Sequence, residues 1–170
     1  DVDGIEFDIP EISDKPNATI EACDHFVAQL QSVPEVYHKD LNRAFYAPKA
    51  DEINMPPLSR FDTPEAYYKT LFHEVTHSTG HASRLSRPGI TLPMEQRVPG
   101  SEIHAHEELI AELGAVYLCQ HAGITRQPLQ ENAAAYIDGY LGLLKNDKRF
   151  LFQASSQAQK AVNFLLEAPT

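Results

Sequence analysis

Basic side chains are scarce in this chain. Fourteen Lys and Arg stand against 24 Asp and Glu, a formal net charge of −10 over 170 residues. That balance opposes nonspecific binding to nucleic acid, which needs a basic face, although a local basic patch stays compatible with it. Cysteine is rarer still. Cys23 and Cys119 lie far apart, each within an apolar helical pattern. Two buried thiols in a reducing cytoplasm are expected rather than a disulfide. No run of eighteen apolar residues exists, so no membrane-spanning helix is expected. The opening "DVDGIEFDIP" is acidic, is broken by Gly4 and Pro10 and does not read as a signal peptide. It also lacks an initiator Met, as an excised or processed piece would. There is no internal repeat and no low-complexity tract.

What is present suits one domain over residues 1–170, with 42% apolar and 22% charged residues. Residues 1–16 read as an irregular arm with one short strand, "IEFDI". Residues 19–31 carry Ile20, Cys23, Phe26, Val27 and Leu30 at helical spacing. "EVYHK" reads as a strand, and "RAFYAPKADEINMP" as two short strands around a turn at Pro48 to Asp51. In "DTPEAYYKTLFHEVTHSTG", Thr63 can cap a helix, Pro64 suits its first turn, and Gly80 is a natural stop. Residues 82–100 hold three prolines and two glycines and read as a loop. Three further helices follow: about 102–120, then "QPLQENAAAYIDGYLGLLKND", then "RFLFQASSQAQKAVNFLLEA". Strands early and helices late make an α+β fold.

The stretch "FHEVTHSTGH" carries the chemistry. His73 and His77 are four apart, hence on one helix face a turn apart. Two imidazoles so placed can share one Zn²⁺, and Glu74, next round the helix, can act as general base on a water there. A catalytic zinc needs a third protein ligand and an open position. His81 is eight residues beyond His73, about 12 Å along a straight helix. The metzincin pattern wants His at position 83, where this chain has Ser83.

The third ligand is expected from "HAHEELIAELGAVYLC". Glu108, Ala111, Glu112, Ala115 and Cys119 form one stripe at helical spacing, with Leu109, Ile110, Leu113, Val116 and Tyr117 on the other side. Two carboxylates on a small-residue stripe of a buried helix are costly unless paired. Glu108 is therefore assigned as third ligand. Glu112, one turn on, is assigned as acceptor for the free ring N–H of a ligating histidine. Glu107, His104 and His106 are fallback ligands, expected at an exposed helix start.

Three blocks, "HEVTHSTGHASRL", "EELIAELGAVYLC" and "LKNDKRFLFQASSQAQKAVNFL", together with "AFYAPKADEINMPP" before them, resemble the metallopeptidase domain of ArdC-type antirestriction proteins. The resemblance covers roughly residues 44–166. It implies a zincin-like domain with His73, His77 and Glu108 on the metal and Glu74 as catalytic residue. The Glu108, Ala111, Glu112 pattern is also similar to the third-ligand helix of gluzincins. ArdC-type proteins carry an N-terminal DNA-binding region, and nothing here corresponds to it. DNA binding by this chain alone is not expected.

The expected function is zinc-assisted hydrolysis of a peptide or protein substrate, with one catalytic zinc. The competing reading is a nonenzymatic, zinc-stabilised module that binds a DNA-processing or restriction component. Tyr46 could donate to an oxyanion, but a tyrosine on a half-buried strand more often packs. Tyr67 and Tyr68 read as core, and "KNDKR" (145–149) as a solvated basic patch. Arg84, Arg87 and Arg97 on the 82–100 loop could bind substrate, and sequence alone gives none of them a distinct role.

Overall fold

The computed structural model describes residues 16–39, 42–124 and 148–167, with no account of the side chains at 16–20 and 148. The expected strand in the arm, the helix over "QPLQENAAAYIDGYLGLLKND" and most of "KNDKR" lie outside these residues.

Helix α1 spans Pro16–Gln29, three residues earlier than its apolar spacing suggests. Three short strands follow: β1 (Glu35–Tyr37), β2 (Phe45–Ala47) and β3 (Glu52–Asn54). They form one sheet in the order β1-β3-β2, with β1 parallel and β2 antiparallel to β3. The β2–β3 turn falls at Pro48–Asp51 as expected, and Asp51 takes a positive φ of 52°. Tyr46 pairs with Ile53, which is fully buried and turns the sheet onto the helices.

Helix α2 spans Pro64–Ser78. Thr63 Oγ1 accepts from Ala66 N at 3.2 Å and Pro64 opens the first turn, as the cap signals predict. The 82–100 segment is more ordered than a plain loop. Pro88–Thr91 forms a helical turn, α3, and Met94–Gln96 a 3-10 turn. Both begin where proline fixes φ for helix entry. Helix α4 runs Glu102–His121, capped by Ser101 Oγ on His104 N at 3.2 Å. Helix α5 spans Lys148–Leu166.

α2 touches the sheet, α1, α4 and α5, and α4 touches α2, α3 and α5. The main core joins Cys23, Ile53, Met55, Tyr67, Tyr68, Leu71, Phe72 and Val75 to Ala115, Leu118 and Cys119. Tyr67 and Tyr68 are buried there, as expected. A second cluster, Ala105, Leu109, Ile110, Phe150, Ala154 and Ala158, fills the α4–α5 seam. Close approach of α2 and α4 depends on Gly114. A Cβ there would lie 2.4 Å from Thr76 Cγ2, too close for any side chain. Ala111 and Ala115, fully buried on the expected stripe, extend that close seam.

Candidate metal centre

Helix spacing stacks His73 and His77 on the face of α2 that meets α4. Their Nε2 atoms lie 3.1 Å apart. Glu108, nearly two turns into α4, points back at both. Its Oε2 is 3.6 Å from His73 Nε2, and its Oε1 is 3.4 Å from His77 Nε2. The three residues are the group among the described residues whose donor atoms converge closely enough to hold a metal ion. A tetrahedral zinc with bonds of about 2.0–2.1 Å has ligand–ligand edges of about 3.3–3.4 Å. The observed separations lie near that value, with each Glu108 oxygen facing a different ring, so the three residues can close on one ion and leave a coordination position open.

The electrostatics agree. Burial lowers the pKa of His77, but Glu107 and Glu108 more than reverse this and raise it to about 10. Burial likewise lowers that of His73, while Glu108 and Glu112 drive a net rise. Burial raises the pKa of Glu108, and the two histidines hold it well below the carboxylate range. A carboxylate that draws positive charge onto two buried imidazoles is suited to a cation.

The outer nitrogens of both rings face carboxylates. His73 Nδ1 is 3.3 Å from Glu112 Oε1, an ion-pair distance, though off the line of a hydrogen bond. Glu112 thus lies beside the outer nitrogen of His73 without accepting a hydrogen bond from it, and Lys69 Nζ balances it at 3.4 Å. His77 Nδ1 pairs with Glu107 Oε1 at 3.1 Å. This corrects the expectation for Glu107. It is 3% exposed and backs His77 from behind, rather than sitting at an exposed helix start. His104 does lie at the rim, its Nδ1 3.7 Å from Glu108 Oε1. His106 packs edge-on against Phe150 with ring centroids 4.9 Å apart, away from the donors. His81 bonds Ser83 and joins no ligand set among the described residues.

Glu107 is itself gripped by Arg87. Nε donates to Oε2 at 2.9 Å and Nη2 to Oε1 at 2.7 Å. The same guanidinium donates to Thr79 Oγ1 at 2.6 Å and the Thr76 carbonyl at 2.8 Å. Arg87 is 4% exposed, so it holds the 82–100 segment to α2 and is not available to a substrate. Gly80 serves this packing. Helix α2 does end just before it, with Thr79 as the cap, but Gly80 has no left-handed φ, so it is not an αL cap. A Cβ on it would lie 2.6 Å from Ile90 Cγ1 and 3.0 Å from Arg87 Nη2.

Glu74 has a partner that sequence reasoning missed. Its Oε2 accepts from the backbone N–H of Tyr46 on β2 at 2.7 Å. A backbone donor carries no residue signature, so nothing in the sequence marked it. Tyr46 Oη is engaged elsewhere, donating to Asp51 Oδ1 at 2.7 Å, while Arg84 grips the same Asp51. Tyr46 thus serves as packing and as a backbone donor.

Glu74, His73, His77 and Glu108 open on a cleft of about 360 Å³, walled by Phe45, Tyr46, Ile90, Arg97 and His104 among others. A family model described as "Zincin-like metallopeptidase" matches residues 21–157. The chain belongs to that family. Its fold is shared by antirestriction protein ArdC from plasmid R388. The metal-free ArdC structure gives a TM-score of 0.62 at 36% identity, over 88% of this chain and 49% of ArdC. The Mn(II)-bound ArdC structure gives 0.60 at 34% identity, over 88% of this chain and 51% of ArdC. A DNA primase TraC of Escherichia coli is 36% identical over 149 residues, which is 88% of this chain and 13% of the primase. The chain therefore spans about half the length of ArdC and a small part of that primase. No helix among the described residues is long and apolar enough to cross a membrane.

Proposed function

We propose that this domain is a zinc-dependent peptidase whose metal is held by His73, His77 and Glu108, with Glu74 as the general base. The observation that carries the reading is the pose of Glu74. One oxygen is fixed by Tyr46 N–H at 2.7 Å, and the other bears no hydrogen bond among the described residues, beside the donor triangle and in an open cleft. Two imidazoles and a carboxylate form a donor set that zinc uses in catalytic sites. The related ArdC has a Mn(II)-bound structure, so a divalent ion is a group this fold accommodates.

Zinc, when bound, supplies Lewis acidity, polarising a carbonyl and lowering the pKa of a water to about 7. Glu74 takes the water proton on its free oxygen and later delivers it to the leaving amine. The Tyr46 bond holds that carboxylate at one angle, so little reorganisation precedes the transfer. Glu107 and Glu112 keep the histidine rings oriented with Nε2 inward. Strand β2 lies at the edge of the described sheet and forms one wall of the cleft, suited to an extended peptide.

The test is turnover against a broad peptide library. The description of ArdC as an antirestriction protein favours including proteins of restriction systems. Glu74→Gln keeps side-chain shape and zinc and loses activity by several orders of magnitude, since base and nucleophile activation disappear together. The second reading is a nonenzymatic zinc-stabilised module acting on a DNA-processing or restriction component. The Tyr46–Glu74 bond favours it, because a structural tie from sheet to helix gives Glu74 a use without chemistry. If wild type cleaves nothing and Glu74→Gln supports every cellular effect of the wild type, that reading replaces the enzyme.

A further inference from the structure

The 82–100 segment carries three arginines that sequence alone could not rank, and their surroundings now separate them. Arg84 is consumed by Asp51, Tyr46 and the Ser78 carbonyl. Arg87 is consumed by Glu107, Thr79 and the Thr76 carbonyl. Arg97 differs. Its Nε donates to the Leu92 carbonyl at 2.9 Å, and among the described residues its two terminal nitrogens carry no hydrogen bond or ion pair. It is half-buried and forms part of the wall of the cleft that holds His73, Glu74, His77 and Glu108.

This is a guanidinium fixed at one edge and open at its end. The Nη1–Nη2 end of arginine matches a carboxylate in a bidentate fork, and fixing Nε in advance removes part of the ordering cost. Charge points the same way. A divalent ion would be matched by Glu108 and Glu74, and Glu107 is matched by Arg87. Arg97 remains the uncompensated charge of the loaded cleft. We infer that Arg97 anchors a carboxylate of the substrate, so that the cleft prefers peptides bearing an acidic side chain or a free C-terminal carboxylate close to the cleaved bond. This rests on the open metal cleft of the proposed function and adds a substrate class to it.

The test reads binding rather than turnover. Three peptidyl hydroxamates, alike except at one group, are titrated calorimetrically into the zinc-loaded chain. One carries Asp and a C-terminal amide, one Asn and a C-terminal amide, and one Asn and a free C-terminal carboxylate. One of the two acidic probes binds about 10- to 100-fold more tightly than the neutral probe, as a desolvated charge-assisted pair provides, and which one identifies the source of the carboxylate. Arg97→Gln brings that ratio to about one while keeping zinc and the affinity for the neutral probe, which shows that the cleft is intact. Arg97→Lys keeps part of the preference, having charge without the fork. A ratio of one in wild type overturns the inference, as does a preference that survives in Arg97→Gln. Binding by none of the three overturns it together with the open cleft. If wild type cleaves peptides while the probe ratio is one, the peptidase stands and the role of Arg97 falls.

Discussion

Helix α4 is one helix with two unlike seams. Toward α5 it presents Ala105, Leu109 and Ile110, packed on Phe150, Ala154 and Ala158. Toward α2 and α3 it presents Glu107, Glu108 and Glu112, each matched by His77, His73, Lys69 or Arg87. The first seam stabilises by removing apolar surface from water, and a lost group there leaves a cavity. The second gains little net stability, because desolvating ions offsets much of their attraction. What it secures is geometry, namely two imidazoles and a carboxylate aimed at one point. The difference teaches where to cut: a loss of stability from the polar seam should weaken metal binding, and the same loss from the apolar seam should leave it unchanged.

The largest expected effect is at Arg87. Arg87→Met leaves the Glu107 carboxylate buried without its partner and should cost about 3–5 kcal/mol in denaturant unfolding. The double variant Arg87→Met/Glu107→Leu should recover much of that stability, since an apolar pair can replace a buried ion pair. It should still bind zinc more weakly, because His77 has lost its support. Full zinc affinity in the double variant would break the comparison. On the apolar seam, Phe150→Ala should cost roughly 3 kcal/mol by opening a cavity, with zinc affinity unchanged.

Smaller effects sharpen the polar seam. Glu112→Ala should weaken zinc about 10–100-fold with the fold retained. If Glu112→Ala abolishes zinc and Glu108→Ala spares it, their roles are exchanged. The pH dependence has a definite sign. Without metal, His77 is held protonated up to about pH 10, because Glu107 and Glu108 outweigh the effect of burial. That pairing stabilises the metal-free fold fully below the ordinary histidine pKa and fades as pH rises through about 10. Zinc needs the neutral ring, so binding expels protons and affinity should climb with pH until the His77 pKa of about 10 is passed. Calorimetry in buffers of different ionisation enthalpy measures the protons released, and zero release would contradict the charged cluster.

The comparison also explains what the sequence let a reader see. Strands β1 to β3, the capped α2 and the α+β order were legible because period and punctuation are local properties. Glu108 and Glu112 stood out because carboxylates are costly on a helix that is apolar nearly all round. Glu107 did not, because its partner Arg87 sits twenty residues away on a segment with no periodicity. Gly114 and the packing role of Gly80 were equally silent, since close approach of another element is a tertiary fact. Glu74 was expected as a general base, but its tie to β2 was not foreseen, because the donor is an anonymous backbone N–H. Local pattern was readable, whereas long-range support became readable only once the fold was in hand.

The central claim is that His73, His77 and Glu108 together hold one metal ion. The most direct measurement is the zinc content of purified protein, taken for wild type and for a His73→Ala/His77→Ala variant. The account predicts about one zinc per folded wild-type chain, as a single catalytic site requires, and none in the variant. Stoichiometric zinc in the folded double variant would place the metal elsewhere and contradict the account.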